Sequence, residues 1–235
     1  MSNSYFKFKQ FTIEQEGCAM KVGTDGCLLG AWFDTSTGNR ILDIGCGTGL
    51  ISIMAAQRSK AQITGIEIEE RASIKAKENA EKSPWGERIE IINIDLKEYA
   101  TKEKFEIIVS NPPFFANSLK CDNDSRTLAR HNDSLTPALF FGKAQELLSE
   151  KGKISIIIPT DSFNEWECEA LFKGFHITRT TKVRTTPRKT AKRILIEFGK
   201  EKNTRIDSEI ILEDSPGTYS HEAKNLLRDF YLKIE

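Results

Sequence analysis

The fold of this chain is decided by the stretch Ile41-Leu42-Asp43-Ile44-Gly45-Cys46-Gly47-Thr48-Gly49-Leu50. An apolar strand runs here into three glycines at alternate positions, and the apolar spacing of residues 51–58 indicates a helix directly behind them. Glycines let a backbone approach a ligand closely, and a helix N-terminus offers oriented amide groups and the positive end of a dipole. The stretch therefore predicts a ligand-binding loop between a strand and a helix of an open α/β sheet.

The spacing of these glycines indicates which ligand the loop holds. A dinucleotide-binding loop, Gly-x-Gly-x-x-Gly/Ala, needs Gly or Ala at position 50, where this chain has Leu50. The spacing Asp-x-Gly-x-Gly-x-Gly fits instead the loop that holds S-adenosylmethionine in Rossmann-like methyltransferases. We therefore interpret four residues of the loop as cofactor-binding residues: Asp43, Gly45, Gly47 and Gly49.

Two acidic residues extend the predicted cofactor site. Residues 61–67 and 88–95 have the apolar pattern of strands, and these strands end in Glu67 and Asp95. A carboxylate at the tip of the second strand suits the two hydroxyl groups of a ribose, and one at the tip of the third strand can accept from the amino group of adenine. Either acid alone could instead cap a helix. Because open α/β sheets bind ligands at the carboxyl ends of their strands, the pair favours a cofactor role for both.

A second motif, Asn111-Pro112-Pro113-Phe114, follows the apolar strand pattern of residues 105–110. Two prolines fix φ twice and lack amide donors, so the loop is stiff and its carbonyls remain available as acceptors. The Asn111 side-chain oxygen and the Pro112 carbonyl can together receive both hydrogens of an exocyclic amino group, and the Phe114 ring offers a face for stacking. An isolated Asn-Pro-Pro could be only a rigid turn. Behind a glycine loop, it predicts an amino-group methyltransferase with Asn111, Pro112, Pro113 and Phe114 as catalytic residues.

The remaining pattern predicts a single α/β domain. We expect a Rossmann-like class I methyltransferase fold: a mostly parallel seven-stranded sheet with an antiparallel last strand and helices on both faces. Residues 1–39 are expected to cover the cofactor, and Thr24 or Asp25 is expected to cap a helix there. Residues 40–235 are expected to form the core, which closes with a C-terminal helix over 220–233.

The charges are distributed unevenly. The formal net charge is zero, which argues against a generally basic nucleic-acid binder. Residues 179–193 nevertheless contain seven Lys or Arg and no acid, and their pattern predicts two antiparallel strands joined by a basic hairpin near 179–198. The turn is either a solvated loop or a surface for nucleic-acid phosphates beside the active site. A second basic stretch lies at 120–131. The candidate RNA-binding residues are Arg126, Arg130, Arg184, Arg188, Lys189, Lys192 and Arg193.

Composition bears on other classes of protein. The chain opens without the apolar core of a signal peptide, and no apolar run approaches membrane-spanning length, so we expect no membrane association. The five cysteines lie apart without a Cys-x-x-Cys pair, and the three histidines are isolated. We therefore assign no metal and expect reduced thiols in the cytoplasm. We also expect a monomer.

Several segments resemble one known family. Residues 20–32, Met-Lys-Val-Gly-Thr-Asp-Gly-Cys-Leu-Leu-Gly-Ala-Trp, are similar to the opening signature of the bacterial tRNA1(Val) adenine-37 N6-methyltransferases. Residues 83–85, 110–115, 129–131 and the ending over 219–233 match as well, so the resemblance covers nearly the whole chain. The opening and the ending are specific to this family, whereas the glycine loop and Asn-Pro-Pro-Phe are shared among amino-group methyltransferases.

The resemblance implies both the cofactor and the substrate. The cofactor is S-adenosylmethionine, with Lys21, Thr24 and Asp25 of the opening signature among its contacts. The substrate is tRNA, at the adenine just 3′ of the anticodon of one valine tRNA. No residue of the sequence derives that target independently of the resemblance.

Other functions remain open from the residues alone. Asn-Pro-Pro-aromatic also occurs in methyltransferases of release-factor glutamine and of ribosomal guanine N2. The glutamine enzymes usually carry an extra N-terminal helical domain, and only about 40 residues precede the first strand here. The guanine enzymes often carry a duplicated domain. A catalytically silent RNA-binding module of the same fold is the third alternative, against which the intact Asp43, Glu67, Asp95 and Asn111 argue.

Overall fold

The computed structural model describes residues 3–36, 38–113 and 135–234 of the chain. Its strands are β1 (Tyr5–Lys7), β2 (Thr12–Glu14), β3 (Arg40–Ile44), β4 (Gln62–Glu67), β5 (Ile89–Asn93), β6 (Phe105–Ser110), β7 (Leu148–Pro159), β8 (His176–Arg184), β9 (Arg193–Gly199), β10 (Ile206–Ile211), β11 (Glu213–Ser215) and β12 (Thr218–Tyr219). Its α-helices are α1 (Thr24–Trp32), α2 (Leu50–Arg58), α3 (Glu70–Lys82), α4 (Pro137–Leu147), α5 (Phe163–Phe172) and α6 (His221–Leu227).

Eight of these strands form the central sheet, in the order β5-β4-β3-β6-β7-β9-β8-β10. β3 lies inside the sheet, parallel to β4 on one side and to β6 on the other. The chain moves outward from β3 first in one direction and then in the other. The carboxyl ends of β3 and β6 therefore border the crevice in which open α/β sheets bind ligands. The glycine loop follows β3, and the Asn-Pro-Pro motif follows β6.

The sheet confirms the expected parallel core and adds one strand. The seven predicted strands are β3 to β9, and the last of them, β9, runs antiparallel to both β7 and β8. The sequence missed β10, which extends the sheet in parallel beside β8. Asp207, Ser208 and Glu209 of this edge strand are exposed and polar, so it lacks the apolar alternation of a half-buried strand. The predicted number of seven strands was therefore too low by one.

Helices cover both faces of the sheet, as predicted. On β3, Ile41 points into one apolar cluster and Leu42 into the other, because successive side chains of a strand point to opposite faces. The cluster around Ile41 includes side chains of α1, α2 and α6, and the cluster around Leu42 includes side chains of α4 and α5. Burial on both faces explains why β3 and β6 are continuous apolar runs.

One buried amide holds the N-terminal segment against the core. Asn79 of α3 is 1% exposed; it accepts from the backbone amide of Glu14 and donates to the backbone carbonyls of Glu14 and Thr48, each at 2.9 Å. The Gln15 side chain then accepts from the amide of Val22 at 2.8 Å. These bonds fix the path of the chain from β2 to the start of α1, beside the glycine loop.

Helix α1 begins without the side-chain cap that the sequence predicted. Its N-cap residue is Gly23, and no side chain accepts from the first amides. Thr24 and Asp25 lie inside the first turn instead. The other end of α1 is fastened to β8, because the indole N–H of Trp32 donates to the Thr181 hydroxyl at 2.9 Å. The family-specific tryptophan of the opening signature therefore has a structural contact of its own.

The C-terminal helix is shorter than the predicted span of 220–233. α6 ends at Leu227, and the Ser220 hydroxyl caps it by accepting from the amide of Ala223 at 3.0 Å. The chain after α6 packs on the N-terminal segment, where the carbonyl of Phe230 accepts from the amide of Lys9 at 2.8 Å. The two family-specific ends of the chain thus support each other.

Candidate active site

The glycine loop and the Asn-Pro-Pro motif lie side by side because β3 and β6 are neighbours. The Ser110 hydroxyl at the end of β6 donates to the carbonyl of Ile44 at the end of β3, at 2.7 Å. The amides of Gly45 and Cys46 donate to the carbonyl of Ile66 on β4, at 2.9 and 3.0 Å. Three strand ends are thereby joined where the predicted cofactor and substrate residues begin.

A cavity of about 470 Å³ opens at this edge of the sheet. That volume lies within the usual range of small-molecule sites. Its walls come from the start of α1, the glycine loop and the residues at the ends of β4, β5 and β6. It brings together nine of the residues predicted for the cofactor or for catalysis: Lys21, Thr24, Asp25, Gly45, Gly47, Glu67, Asp95, Asn111 and Pro113.

The three glycines of the loop do not share one role. Gly45 and Gly47 have φ values of +69° and +56°, and a Cβ on either would meet nothing within 4 Å. Both line the cavity, so their missing side chains leave open space for a ligand. Gly49 has a φ of +82°, but a Cβ there would lie 3.4 Å from the backbone of Ala76. The structure thus places Gly49 against α3 rather than on the cavity, where the sequence pattern predicted it.

Glu67 stands at the end of β4 with its carboxylate turned toward the glycine loop. Oε2 accepts from the amide of Gly47 at 2.8 Å, and Oε1 accepts from the amide of Glu69 at 2.9 Å. Helix α3 has its own cap, because the Glu69 side chain accepts from the amides of Arg71 and Ala72. Glu67 is therefore not the helix cap that an acid at this position could have been, and it remains on the cavity wall for a ligand.

Asp95 lies on the cavity wall two residues after the end of β5, the strand that pairs with β4 beside Glu67. Its Oδ1 accepts from the amide of Lys97 at 2.9 Å, and the Lys97 ammonium lies 4.0 Å from Oδ2. The carboxylate is 28% exposed, so it can still receive a hydrogen bond from a ligand. Apolar side chains line the same cavity, among them Ile68 and Leu96, which directly follow the two acids in the chain. These two residues were not predicted as site residues, because ordinary apolar side chains give no sequence signal.

Asp43 lies beneath the loop and is not part of the cavity wall. It is 0% exposed, and its Oδ2 accepts from the Ser52 hydroxyl of α2 at 2.6 Å. Burial raises the pKa of Asp43 to about 7; the bonds from Ser52 oppose that rise, and the nearby Glu67 adds to it. The sequence pattern predicted direct cofactor binding by Asp43. The structure instead makes it a support that holds the loop on the start of α2.

Asn111 is the residue of the Asn-Pro-Pro motif with the clearest chemical feature. Its Oδ1 is buried and has no hydrogen-bond partner within the described ranges, while the residue itself lines the cavity. Gly26 of α1 lies beside this side chain, because a Cβ on Gly26 would be at ordinary contact distance, 4.0 Å, from Asn111 Nδ2. Pro113 lies on the cavity wall, and Pro112 is buried beside it. Phe114, Arg126 and Arg130 lie outside the described residues.

The residues present fit S-adenosylmethionine. Glu67 and Asp95 offer acceptors for ribose hydroxyls and an adenine amino group, and Ile68 and Leu96 offer apolar surface in the same cavity for the base. Gly45 and Gly47 leave space beside the loop backbone. Asn111 contributes an unused acceptor at the other side of the cavity. Within the described ranges, no group of three or more His, Cys, Asp or Glu is arranged to hold a metal ion.

The predicted basic hairpin exists, but its cations divide into two groups. Arg193 Nε donates to Asp25 Oδ2 at 2.7 Å, and Arg184 pairs with Glu209 at 3.1 Å while its Nε donates to the carbonyl of Lys189 at 2.7 Å. These two arginines are used inside the protein. Arg179 ion-pairs with Glu197 at 3.2 Å, and the other four hairpin cations have exposed side chains that face solvent: Lys182, Arg188, Lys189 and Lys192.

A sheet of this order, with a glycine loop after its innermost parallel strand, defines the Rossmann-like S-adenosylmethionine-dependent methyltransferases. Residues 18–183 match the Methyltransferase small domain family. The fold is similar to that of a predicted O-methyltransferase from Agrobacterium tumefaciens, with a TM-score of 0.68 and 19% identity over 90% of this chain and 99% of that one. It is also similar to the glycopeptide N-methyltransferase MtfA in complex with S-adenosylmethionine, with a TM-score of 0.56 and 13% identity over 77% of this chain and 100% of that one.

A sequence relative narrows this class to one family. The chain is 45% identical over 237 residues to a protein of Bacteroides thetaiotaomicron named tRNA1(Val) (adenine(37)-N6)-methyltransferase, and the match covers 100% of both chains. The chain therefore belongs to the tRNA1(Val) (adenine(37)-N6)-methyltransferase family. This confirms the family that the sequence motifs predicted by resemblance. None of the helices within the described ranges has both the length and the apolar character needed to cross a membrane.

Proposed function

We propose that this protein transfers the methyl group of S-adenosylmethionine to N6 of adenine 37 in tRNA1(Val). The observation that carries the proposal is the buried Oδ1 of Asn111, an acceptor on the cavity wall without a donor in the described part of the chain. Buried acceptors are nearly always paired in folded proteins, and leaving one unpaired costs free energy. An exocyclic amino group supplies the missing donor. The name of the Bacteroides relative supplies tRNA and position 37.

The residues of the Asn-Pro-Pro motif would activate the nitrogen by fixing its two hydrogens. S-adenosylmethionine, when bound, supplies an electrophilic methyl group on a sulfonium. Asn111 Oδ1 and the Pro112 carbonyl accept the two N6 hydrogens, which draws the nitrogen toward a tetrahedral geometry and frees its lone pair. Positioning and preorganised acceptors supply most of the rate. No side chain needs to act as a general base, because the methylated nitrogen is cationic and loses its proton after transfer.

The base would have to leave its stack to reach Asn111, as in other enzymes that act on a nucleobase. Phe114 directly follows Pro113 in the chain and would supply the ring on which the flipped adenine stacks. The solvent-facing cations of the hairpin would hold the phosphates of the anticodon arm, since Lys and Arg displace counterions from a nucleic-acid backbone. The refined phosphate set is Lys182, Arg188, Lys189 and Lys192.

The active form in this proposal is a single copy of the chain working in the cytoplasm. The substrate named for the relative is a tRNA. Size-exclusion chromatography with light scattering, with and without tRNA, would show whether one copy per tRNA is sufficient.

The decisive experiment is nucleoside analysis of tRNA. Purified tRNA1(Val) lacking the modification is incubated with the protein and S-adenosylmethionine, digested and analysed by mass spectrometry. We expect N6-methyladenosine at position 37 and none in a transcript with guanine there. Methylation of release-factor glutamine or of rRNA guanine N2, tested in parallel reactions with those substrates and read by mass spectrometry of the protein or of the rRNA nucleosides, would replace this proposal. Cofactor binding without any methylation would favour a silent RNA-binding protein.

A further inference from the structure

The first turn of α1 touches both halves of the site. Thr24, Asp25 and Gly26 line the cavity on the side of the cofactor residues. Gly26 also packs on the start of α2, where a Cβ would lie 3.0 Å from the Leu50 side chain, and it borders the Asn111 amide. The first turn of α1 therefore lies beside both the predicted cofactor residues and Asn111.

The turn is not held by a cap of its own. Gly23 stands at the N-cap position without a side-chain acceptor, so the usual local device for fixing a helix start is missing. What holds it is a contact from the far end of the chain: Arg193 Nε donates to Asp25 Oδ2 at 2.7 Å across 168 residues. The Asp25 and Arg193 side chains are 27% and 36% exposed, so the pair is partly shielded from solvent.

Arg193 is itself fixed by the sheet. It is the first residue of β9, in register with Pro159 of β7 and Val183 of β8. It lies at the end of the basic hairpin, and its guanidinium also donates to the carbonyl of Lys192 at 3.1 Å. Arg193 thus directly follows the last of the solvent-facing hairpin cations, although its own guanidinium holds α1.

A second contact fastens the other end of α1 to the same hairpin. The Arg179 guanidinium of β8 lies 3.7 Å from the centre of the Trp32 ring and ion-pairs with the buried Glu197 of β9 at 3.2 Å. Trp32 also donates to Thr181 of β8. Both ends of α1 are therefore in contact with the hairpin strands, the first turn with β9 and the last turn with β8.

We propose that Arg193 is a positioning residue rather than a phosphate contact: through Asp25 it sets the first turn of α1, and so aligns the cofactor wall with Asn111 when the hairpin engages tRNA. This inference rests on the proposed function for its substrate and replaces the role that the sequence predicted for Arg193. It also gives Asp25 an indirect role in cofactor binding.

The test is a double-mutant cycle read out in two ways. Asp25→Ala and Arg193→Ala should each weaken cofactor binding by about fivefold, and the double variant should be no worse than either, because both remove one shared contact. At saturating tRNA, kcat should fall roughly tenfold to a hundredfold in all three, the range expected from a small misplacement of reacting groups, with little change in KM for tRNA. Glu209→Ala is the matched control, since it breaks a different ion pair of the hairpin, Arg184–Glu209 on the far side of β8, and should leave cofactor affinity unchanged.

Two results would overturn the proposal. If Arg193→Ala raised the KM for tRNA and flattened its salt dependence while Asp25→Ala left both unchanged, Arg193 would be a phosphate contact. Additive losses in the double variant would show that the two residues act separately. If the alanine variants failed to fold in a thermal melt, Arg193→Lys and Asp25→Asn would take their place: the first keeps the ion pair and should keep cofactor affinity, and the second should not. Cofactor affinity is measured without RNA, so the inference can fail or hold whether or not the wild type methylates tRNA.

Discussion

The carboxylate of Glu67 accepts a 2.8 Å hydrogen bond from the backbone amide of Gly47. The acid that we assign to the cofactor ribose and the loop that we assign to the rest of the cofactor are thus one hydrogen-bonded unit. A carboxylate that accepts from backbone amides is already oriented, so it gives up little freedom when a ligand arrives. Because of this bond, a substitution of Glu67 also removes a contact that holds the glycine loop.

Replacing Glu67 should therefore weaken cofactor binding without loss of the fold. We expect Glu67→Ala to reduce the affinity for S-adenosylmethionine by about 1.5–3 kcal/mol, typical of removing hydrogen bonds to a charged group. Glu69→Ala is the matched control, because it removes the cap of α3 and lowers the melting temperature without touching the cavity. Calorimetry on both variants checks this. Normal cofactor binding by Glu67→Ala, together with NAD binding by the wild type, would reopen a dehydrogenase assignment.

Substitutions of the loop glycines should have two different effects, one on cofactor binding and one on stability. Gly47→Val should abolish cofactor binding, because the side chain would enter the open space beside the loop and occupy a φ of +56° that suits glycine. Gly49→Ala should instead lower stability, since its φ of +82° is one that L side chains rarely adopt and its Cβ would contact the backbone of Ala76 rather than enter the cavity. Denaturant unfolding and calorimetry on the two variants distinguish these losses. Equal loss of cofactor affinity at low temperature in both would contradict the division.

The sequence predicted residues that the structure brings together around one cavity, because strand ends are visible in a sequence. Glu67, Asp95 and Asn111 each follow an apolar run, and parallel strands bring such ends to one edge. The sequence could not say which way each loop residue faces, so Asp43 and Gly49 were placed on the cavity although one supports α2 and the other packs on α3. Arg193 and Asp25 are 168 residues apart in the chain, and a local sequence pattern does not predict a contact between residues so far apart.

Stability should depend on pH through Asp43. Burial raises its pKa to about 7 in the folded protein, against about 3.9 for an unfolded Asp. Between these values the folded state binds a proton that the unfolded state has released, so the stability that Asp43 contributes is present below about pH 4 and is lost as the pH rises to about 7. The free energy of unfolding of the wild type minus that of Asp43→Asn should therefore fall across this window and stay level above it.

Asp34 is a control because its pKa is shifted in the opposite direction, so its contribution to stability has the opposite pH dependence. Hydrogen bonds from Ser36 lower the pKa of Asp34 to about 2, with Lys153 adding to the effect and partial burial opposing it. Its contribution is present above about pH 4 and is lost as the pH falls toward 2. The free energy of unfolding of the wild type minus that of Asp34→Asn should thus change only below about pH 4. A difference curve for Asp43→Asn that is level from pH 4 to 7 would show that Asp43 is ionised in the folded protein.

Removing the acceptor at Asn111 should stop catalysis and spare the cofactor. Asn111→Ala should reduce turnover by roughly a hundredfold or more, the range seen when one preorganised polar group is removed. Cofactor affinity should change little, because the Asn111 oxygen binds the methyl acceptor. Single-turnover kinetics with tRNA1(Val) and calorimetry provide the two measurements. Turnover near that of the wild type would remove Asn111 from the mechanism.

The stacking role of Phe114 remains a prediction from sequence. An aromatic platform contributes about 1–3 kcal/mol to a flipped-out base. Phe114→Ala should therefore lose tRNA turnover and keep cofactor affinity, while Phe114→Tyr should keep both because the ring face survives. Equal losses in the two variants would mean that the ring packs in the core instead.

The solvent-facing hairpin cations should strengthen tRNA binding through their charge and should not affect how the cofactor site is arranged. Removing one cation that neutralises a phosphate should flatten the slope of log affinity against log salt concentration by about 0.9. Arg188→Ala with Lys189→Ala should therefore raise the KM for tRNA and leave cofactor affinity intact, and it should weaken different RNAs about equally, because cations bound to phosphates carry no base information.

A control variant that removes the same number of positive charges is available at the opposite end of the strands. β9 runs from Arg193 beside Pro159 to Gly199 beside Lys153, so Lys151 and Lys202 lie at the edge away from the cavity. Both are exposed, and Lys151→Ala with Lys202→Ala lowers the net charge by the same amount as the hairpin variant. If net charge alone attracted tRNA, the two double variants would lose affinity equally. If the hairpin is the phosphate site, only its variant changes the salt slope. An unchanged slope there would make the hairpin an ordinary solvated turn and move the expected tRNA contacts to residues 120–131.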